Sequence, residues 1–267
     1  MTLSLAAGLM VLIAAIETVA YSVRIAAVRT QKLAVSFSLF NLIAQVARLS
    51  MLIVFPLLGS MVDRAIENNT VHLLEGPFRL VILAMTLGSV CGAFLIPLFV
   101  GAFSRLINHF AAVGSVPRLF FSLVENRKAW LRPRRVRVDY SRVRRASLQG
   151  LPRAFVLVNI LVVAIYTVGS LASIYAGSLV PELRTTTSNL AGVVNGLGAV
   201  LLMIFVDPTM AMITDDAMQG KRPLRQVQSA VVYLVCGKVV GTLLAQALFT
   251  PAAAWIAYAA RLVAGFQ

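Results

Sequence analysis

LSLAAGLMVLIAAIETVAYSVR, residues Leu3–Arg24, is almost wholly apolar up to Ile16 and then sets Glu17, Tyr21 and Arg24 at spacings of four and three. About 20 apolar residues rising ~1.5 Å each cross the hydrocarbon core of a bilayer. Spacings of three and four place the polar trio on one helix face. A charged side chain at bilayer depth costs at least ~2.5–3.5 kcal/mol on insertion scales, so a helix keeps one where it lines a polar cavity or meets a partner. The same device recurs with Asn41, Gln45 and Arg48 in the second apolar stretch, and with Lys238, Thr242 and Gln246, four apart, in the last. The pattern predicts an all-α polytopic membrane bundle with a hydrophilic, net-cationic interior.

Composition agrees: 59% of the 267 residues are hydrophobic and 13% charged, against about 25% charged in a soluble domain. Six stretches are long enough to cross, at about 3–23, 33–58, 80–103, 154–180, 187–206 and 228–250. The start of the chain lacks the basic segment of a cleaved signal peptide, so residues 1–23 count as a span. The tail from Pro251 to Gln267 is short for a crossing. Its proline and its Trp255 and Tyr258 predict an interfacial helix, with a re-entrant half-helix as the alternative. The whole reads as a single membrane domain over 1–267. No internal repeat emerges, since Glu17 and Arg48 in the first half find no counterpart in register with Lys238.

Orientation follows from lysine and arginine placement. Eighteen basic residues fall in the first, third and fifth loops and four on the opposite side. The odd loops are therefore expected in the cytoplasm and both termini outside. The third loop, 104–153, is the one long connection and holds twelve of the eighteen, including the run Arg132-Pro133-Arg134-Arg135-Val136-Arg137. Two amphipathic pieces, Phe103–Phe110 and Pro117–Trp130, read as interfacial helices. Each basic residue near an anionic leaflet is worth ~1 kcal/mol, so the loop is either a collar that gathers anionic phospholipids or a plain topology determinant. The formal net charge of +14 does not point to nucleic acid here, because no aromatic platform or base-reading motif accompanies it.

Enzyme chemistry is thinly represented. His72 and His109 form no metal-ligand spacing, and no nucleophile elbow or phosphate loop is present, so neither cofactor nor metal is expected. Cys91 and Cys236 read as small packing residues. Asp207, Asp215 and Asp216 read as a solvated helix end near the cytoplasm. Among the residues inside spans, Arg48 lies midway along its span and is a cavity cation or a buried partner of Glu17. Lys238 is flanked by Gly237 and Gly241, which favour close helix approach. Arg24 sits at a cytoplasmic span end, as a ligand or an anchor. Glu17 is a counter-ion or a protonatable coupling residue. Asn195 lies between Gly192 and Gly196, a pair suited to helix packing.

Glu17-Thr18-Val19-Ala20-Tyr21-Ser22-Val23-Arg24, Val28-Arg29-Thr30, Ser38-Leu39-Phe40-Asn41, Ala47-Arg48 and Pro56-Leu57-Leu58-Gly59, with Phe205-Val206-Asp207-Pro208 and Thr214-Asp215 later, resemble the Amj family of bacterial alternate lipid II flippases. The resemblance implies a bacterial cytoplasmic-membrane protein that is no enzyme and that moves lipid II, an undecaprenyl pyrophosphate bearing a disaccharide-peptide. On that reading Arg24, Arg48 and Lys238 would hold the pyrophosphate. Tyr21, Asn41, Gln45 and Gln246 would add polar contacts, and Glu17 would balance charge. A small-solute or ion transporter, and a scaffold that recruits partners through its basic loop, are the alternatives. Six spans enclose little volume for so large a headgroup. With close-packing glycines at 192 and 196 and at 237 and 241, a homodimer is expected.

Overall fold

Glu17 and Arg24 occupy consecutive helices of one span, and the chain between them explains the break. Thr18 Oγ1 donates to Ala14 O at 2.7 Å and Ser22 Oγ to Val19 O at 2.7 Å. Such back-bonding bends helices. Around Tyr21 the backbone bonds shorten to three-residue steps, Tyr21 N to Thr18 O and Arg24 N to Tyr21 O. The computed structural model describes residues 2–125 and 151–265. It begins with α1 (Thr2–Ala20) and α2 (Ser22–Thr30), joined at this turn. Then come α3 (Leu33–Glu67), α4 (Glu75–Val113), α5 (Val116–Glu125), α6 (Arg153–Leu179), α7 (Arg184–Leu201), α8 (Asp207–Met218) and α9 (Leu224–Ala264). Among the described residues there is no strand.

Among the described residues, six stretches are long and apolar enough to cross a membrane: Thr2–Thr30, Leu33–Glu67, Val71–Val113, Arg153–Leu179, Pro181–Met218 and Leu224–Ala264. The expected six-span all-α bundle is therefore present. Leu12, Leu52, Phe94, Leu161 and Met203 are among the large apolar side chains left exposed on its outside, as a lipid-facing belt requires.

Helix lengths differ from the expected ones. Phe103–Phe110 is no separate interfacial piece but the continuous end of α4. The second amphipathic piece begins as α5, Val116–Glu125, and residues 126–150 of the basic loop lie outside the described residues. Pro251 does not stop the last helix, so the expected interfacial helix after it is replaced by an unbroken α9 of 41 residues, ~61 Å long. A proline forfeits one backbone bond, and neighbouring helices make that tolerable inside a bundle. In the fifth span Pro208 has no N–H to offer the preceding turn, and the helix widens over Leu202–Val206 into π geometry before α8.

Glycines set the close approaches. A Cβ at Gly88 would strike Val11 O, and one at Gly92 would lie 2.7 Å from Ala15 O, so α1 seats directly on α4. A Cβ at Gly241 would lie 2.7 Å from Ile160 O, and one at Gly237 would strike Asn159 Nδ2, so α9 seats on α6. Asn159 Nδ2 donates to Leu234 O at 3.0 Å across that contact. Gly237 and Gly241 are thus consumed inside the protomer. Gly192 and Gly196 face open space, while Asn195, between them in sequence, turns inward and donates to Ser170 Oγ at 2.7 Å.

Three apolar clusters give the bundle its shape. The first joins α1, α3, α4, α6 and α9 in the half that carries the two chain ends, around Phe78, Tyr175 and Phe249, whose rings stand 5.1–5.8 Å apart. The other half, which carries the 31–32 and 219–223 turns, holds two clusters. One unites α2, α4, α6, α8 and α9. The other unites the α1–α2 junction with the start of α3 and the end of α4. So α3 joins a core in each half but shares none with α8, and a crevice lies between the two.

Candidate functional site

The polar face read from the first span forms two ion pairs, and the Arg24 pair borders a crevice between α3 and α8. Lys238 Nζ, on α9, donates to Glu17 Oε2 at 2.8 Å and to Ala14 O at 3.3 Å. Seven residues on from Glu17, about two turns along the span, Arg24 Nη2 donates to Asp207 Oδ1 at 2.8 Å. Tyr21 lies between the two pairs in sequence and packs on Phe40 with ring centroids 6.2 Å apart. Both cations are 5% exposed; Asp207 opens further, at 37% of its side chain. In these two pairs each cation is matched by a carboxylate.

Arg24 is held from three sides. Its guanidinium carbon stands 4.5 Å from the centroid of Phe40 and 5.4 Å from that of Phe37. The ring faces attract the cation but accept no strong hydrogen bond. Nε and Nη1 are buried without a hydrogen-bond partner. Buried donors are almost always satisfied, so two on one side chain are unusual. Beside them Val23, Arg24, Ala27, Leu33, Ser36, Phe37, Phe40 and Thr214 line a crevice between α2, the start of α3 and α8.

The remaining expected site residues fall elsewhere. Asn41 and Gln45 lie on an exposed face of α3. Arg48 is in α3 with its side chain outside the described residues, and the partner shown for Glu17 is Lys238. Gln246 belongs to a second polar group on the same face of α9 as Lys238. Its Nε2 donates to Arg79 O at 2.8 Å, and Arg79 Nη1 donates back to Gln246 O at 2.7 Å. Arg79 also reaches Glu75 at 2.7 Å and Thr250 Oγ1 at 2.9 Å. With Thr86 and Thr242 bonded at 3.0 Å, these contacts lock α4 to α9. Gln246 is two turns from Lys238, ~12 Å along the helix axis.

Two contributors were misread from sequence. Asp207 was grouped with Asp215 and Asp216 as a solvated helix end. Those two do serve the turn, accepting from Gln219 at 2.6 Å and Arg222 at 2.8 Å, whereas Asp207 reaches inward. Its signal is the Asp-Pro step at the end of an apolar run, level with Arg24 at the end of another. Arg79 was counted only as an outside charge.

Residues 9–260 match the family described as Amj, Alternate to MurJ. The chain belongs to the Amj family. Among curated relatives, the protein named lipid II flippase Amj of Bacillus subtilis (strain 168) is 37% identical over 253 residues, which cover 93% of each chain. No solved structure matches this Amj-family chain. The polar face on α1 and α2 and the Asp207 step both lie inside the region matched to Amj.

Proposed function

We propose that the protein is a flippase that carries lipid II from the cytoplasmic to the outer leaflet of the bacterial cytoplasmic membrane, with both termini outside. The observation that carries this reading is two ion pairs, each built on a buried cation, Glu17–Lys238 and Arg24–Asp207, the second beside the seam where α3 parts from α8. A structural scaffold gains little from buried charge, because an ion pair of this kind rarely repays its desolvation. A carrier of an anionic headgroup needs cations that survive in the bilayer while empty, and resident carboxylates supply that. Family membership and the name of the Bacillus relative point to the same substrate.

In this account Arg24 meets the pyrophosphate at the cytoplasmic mouth, and Arg48 and Lys238 take it deeper. Glu17 returns to Lys238 when the site is empty. Tyr21 and the exposed Asn41 and Gln45 serve the sugar and peptide. Gln246 helps hold α9 on α4. The seam opens sideways, so the polyprenyl tail stays in lipid. The basic loop gathers anionic phospholipids at the entrance, and a homodimer forms along the open Gly192/Gly196 face of α7. The test is surface exposure of lipid II in bacterial cells depleted of their other flippases. Wild type restores exposure. Lys238→Ala reduces it at matched protein levels, and Arg184→Ala, away from the seam, does not. If wild type exposes no lipid II, the reading fails and a small-solute transporter takes its place.

A further inference from the structure

Resting on the flippase reading, we infer that Arg24 is a phosphoryl site for the phosphate end of a lipid-linked substrate, and that Asp207 is the stand-in anion the phosphate displaces. Three observations carry this. The guanidinium is 5% exposed, yet it spends one nitrogen on Asp207 and leaves Nε and Nη1 without partners. An oxyanion with several oxygens can accept from donors that a single carboxylate oxygen leaves idle. Asp207 is the loosely held member of the pair, since it is 37% exposed and follows the π turn Leu202–Val206. Such turns are local departures from helix geometry, frequent at functional sites.

The chemistry of the walls names the rest of the ligand. Beside the guanidinium the crevice is lined by Val23, Ala27, Leu33, Phe37 and Phe40, with Ser36 and Thr214 as the other polar members. The crevice is a narrow slot. Apolar walls at a single buried cation suit a phosphate ester of a hydrocarbon chain. They offer nothing to a sugar or a peptide. The chain enters from the side between α3 and α8, and Phe37 and Phe40 turn aside to admit it. Selection at this position is therefore for the phosphate and its first carbons, with the sugar and peptide read elsewhere.

The experiment uses the purified full chain in detergent with farnesyl pyrophosphate, inorganic pyrophosphate and dioleoylphosphatidylglycerol as probes. Asp207→Asn leaves Arg24 buried and unpaired, so the variant melts below wild type. Farnesyl pyrophosphate supplies the missing anion and raises its melting temperature more than that of wild type. Arg24→Gln/Asp207→Asn, with no charge left to satisfy, shows no such gain. At equilibrium, wild type binds labelled farnesyl pyrophosphate at least tenfold more tightly than Arg24→Gln and at least tenfold more tightly than inorganic pyrophosphate. Equal rescue of single and double variants, or equal binding by wild type and Arg24→Gln, overturns the site. Equal affinity for inorganic pyrophosphate, or equal competition by dioleoylphosphatidylglycerol, overturns the assignment of the chain. Lipid II exposure in cells without farnesyl pyrophosphate binding sinks this inference alone. Binding without exposure sinks the flippase reading alone.

Discussion

Lys238 is the residue whose state decides most about the contact between α1 and α9, because it is buried and its partner comes from another helix. Removing one member of a buried pair strands the other, at ~3–5 kcal/mol, whereas replacing both by apolar groups of similar size is often neutral. Lys238→Met and Glu17→Gln are each expected to lower the melting temperature in detergent, and Lys238→Met/Glu17→Leu to recover most of the loss. Additive losses in the double variant would show that the pair does not interact energetically. The value of the pair was legible in sequence only in part. Glu17 and Lys238 stood out because each is a charge inside an apolar run. Their mutual choice did not, because pairing depends on how α1 and α9 face each other, and one sequence carries no distance between residues 221 positions apart. Asp207 was missed for the related reason that a carboxylate at a span end is solvated by default, and only the approach of Arg24 changes that.

At the scale of the helix, glycine is the currency of contact, and the four glycines singled out in sequence divide into two kinds. Gly237 and Gly241 face Asn159, Ile160 and Val163 at distances no side chain tolerates; Gly192 and Gly196 face nothing. Gly241→Leu is expected to disrupt folding, as is Gly88→Leu at the α1–α4 contact, with loss of monodisperse protein on size exclusion. Gly196→Leu is expected to leave the monomer intact and to weaken the proposed homodimer, read by native mass spectrometry in mild detergent. A Gly241→Leu protein with unchanged elution and melting would refute the assigned packing. The positions of the six spans were plain from apolar run length, which is a property of each segment alone. Their ends were not. Pro251 would end a helix in water, but here α9 carries on with Ala253, Ile256 and Ala257 buried in the terminal-half core, and tertiary packing overrides the local stop signal.

For the molecule as a whole, the two halves are built differently, with one core in the terminal half and two in the other. Arg184 and Asp63 add a clasp at 2.8 Å between α7 and α3 in the terminal half. Both are more than half exposed, so the clasp contributes at most ~1 kcal/mol. With Cys91 and Cys236 first replaced by serine, cysteines placed at Asn69 and Ser188 are expected to react with an impermeant thiol reagent on intact cells, and one at Lys221 to stay unlabelled. The reverse pattern would invert the orientation. That orientation gives the balanced pairs an electrical consequence. In the empty protein Arg24 and Lys238 each hold a resident carboxylate, so these two pairs carry no excess charge through the field as it resets. The loaded protein carries the charge of its cargo. Each elementary charge crossing 100 mV is worth ~2.3 kcal/mol, and a cell interior held negative pushes an anion outward. Transmembrane voltage should therefore work on the delivery stroke and leave the return stroke untouched. In proteoliposomes under a potassium diffusion potential, delivery should quicken at the driving polarity and slow at the opposite one. Equal rates at both polarities would mean that the charge is compensated in transit, with Glu17 and Asp207 giving up their places to protons rather than to each other's cations.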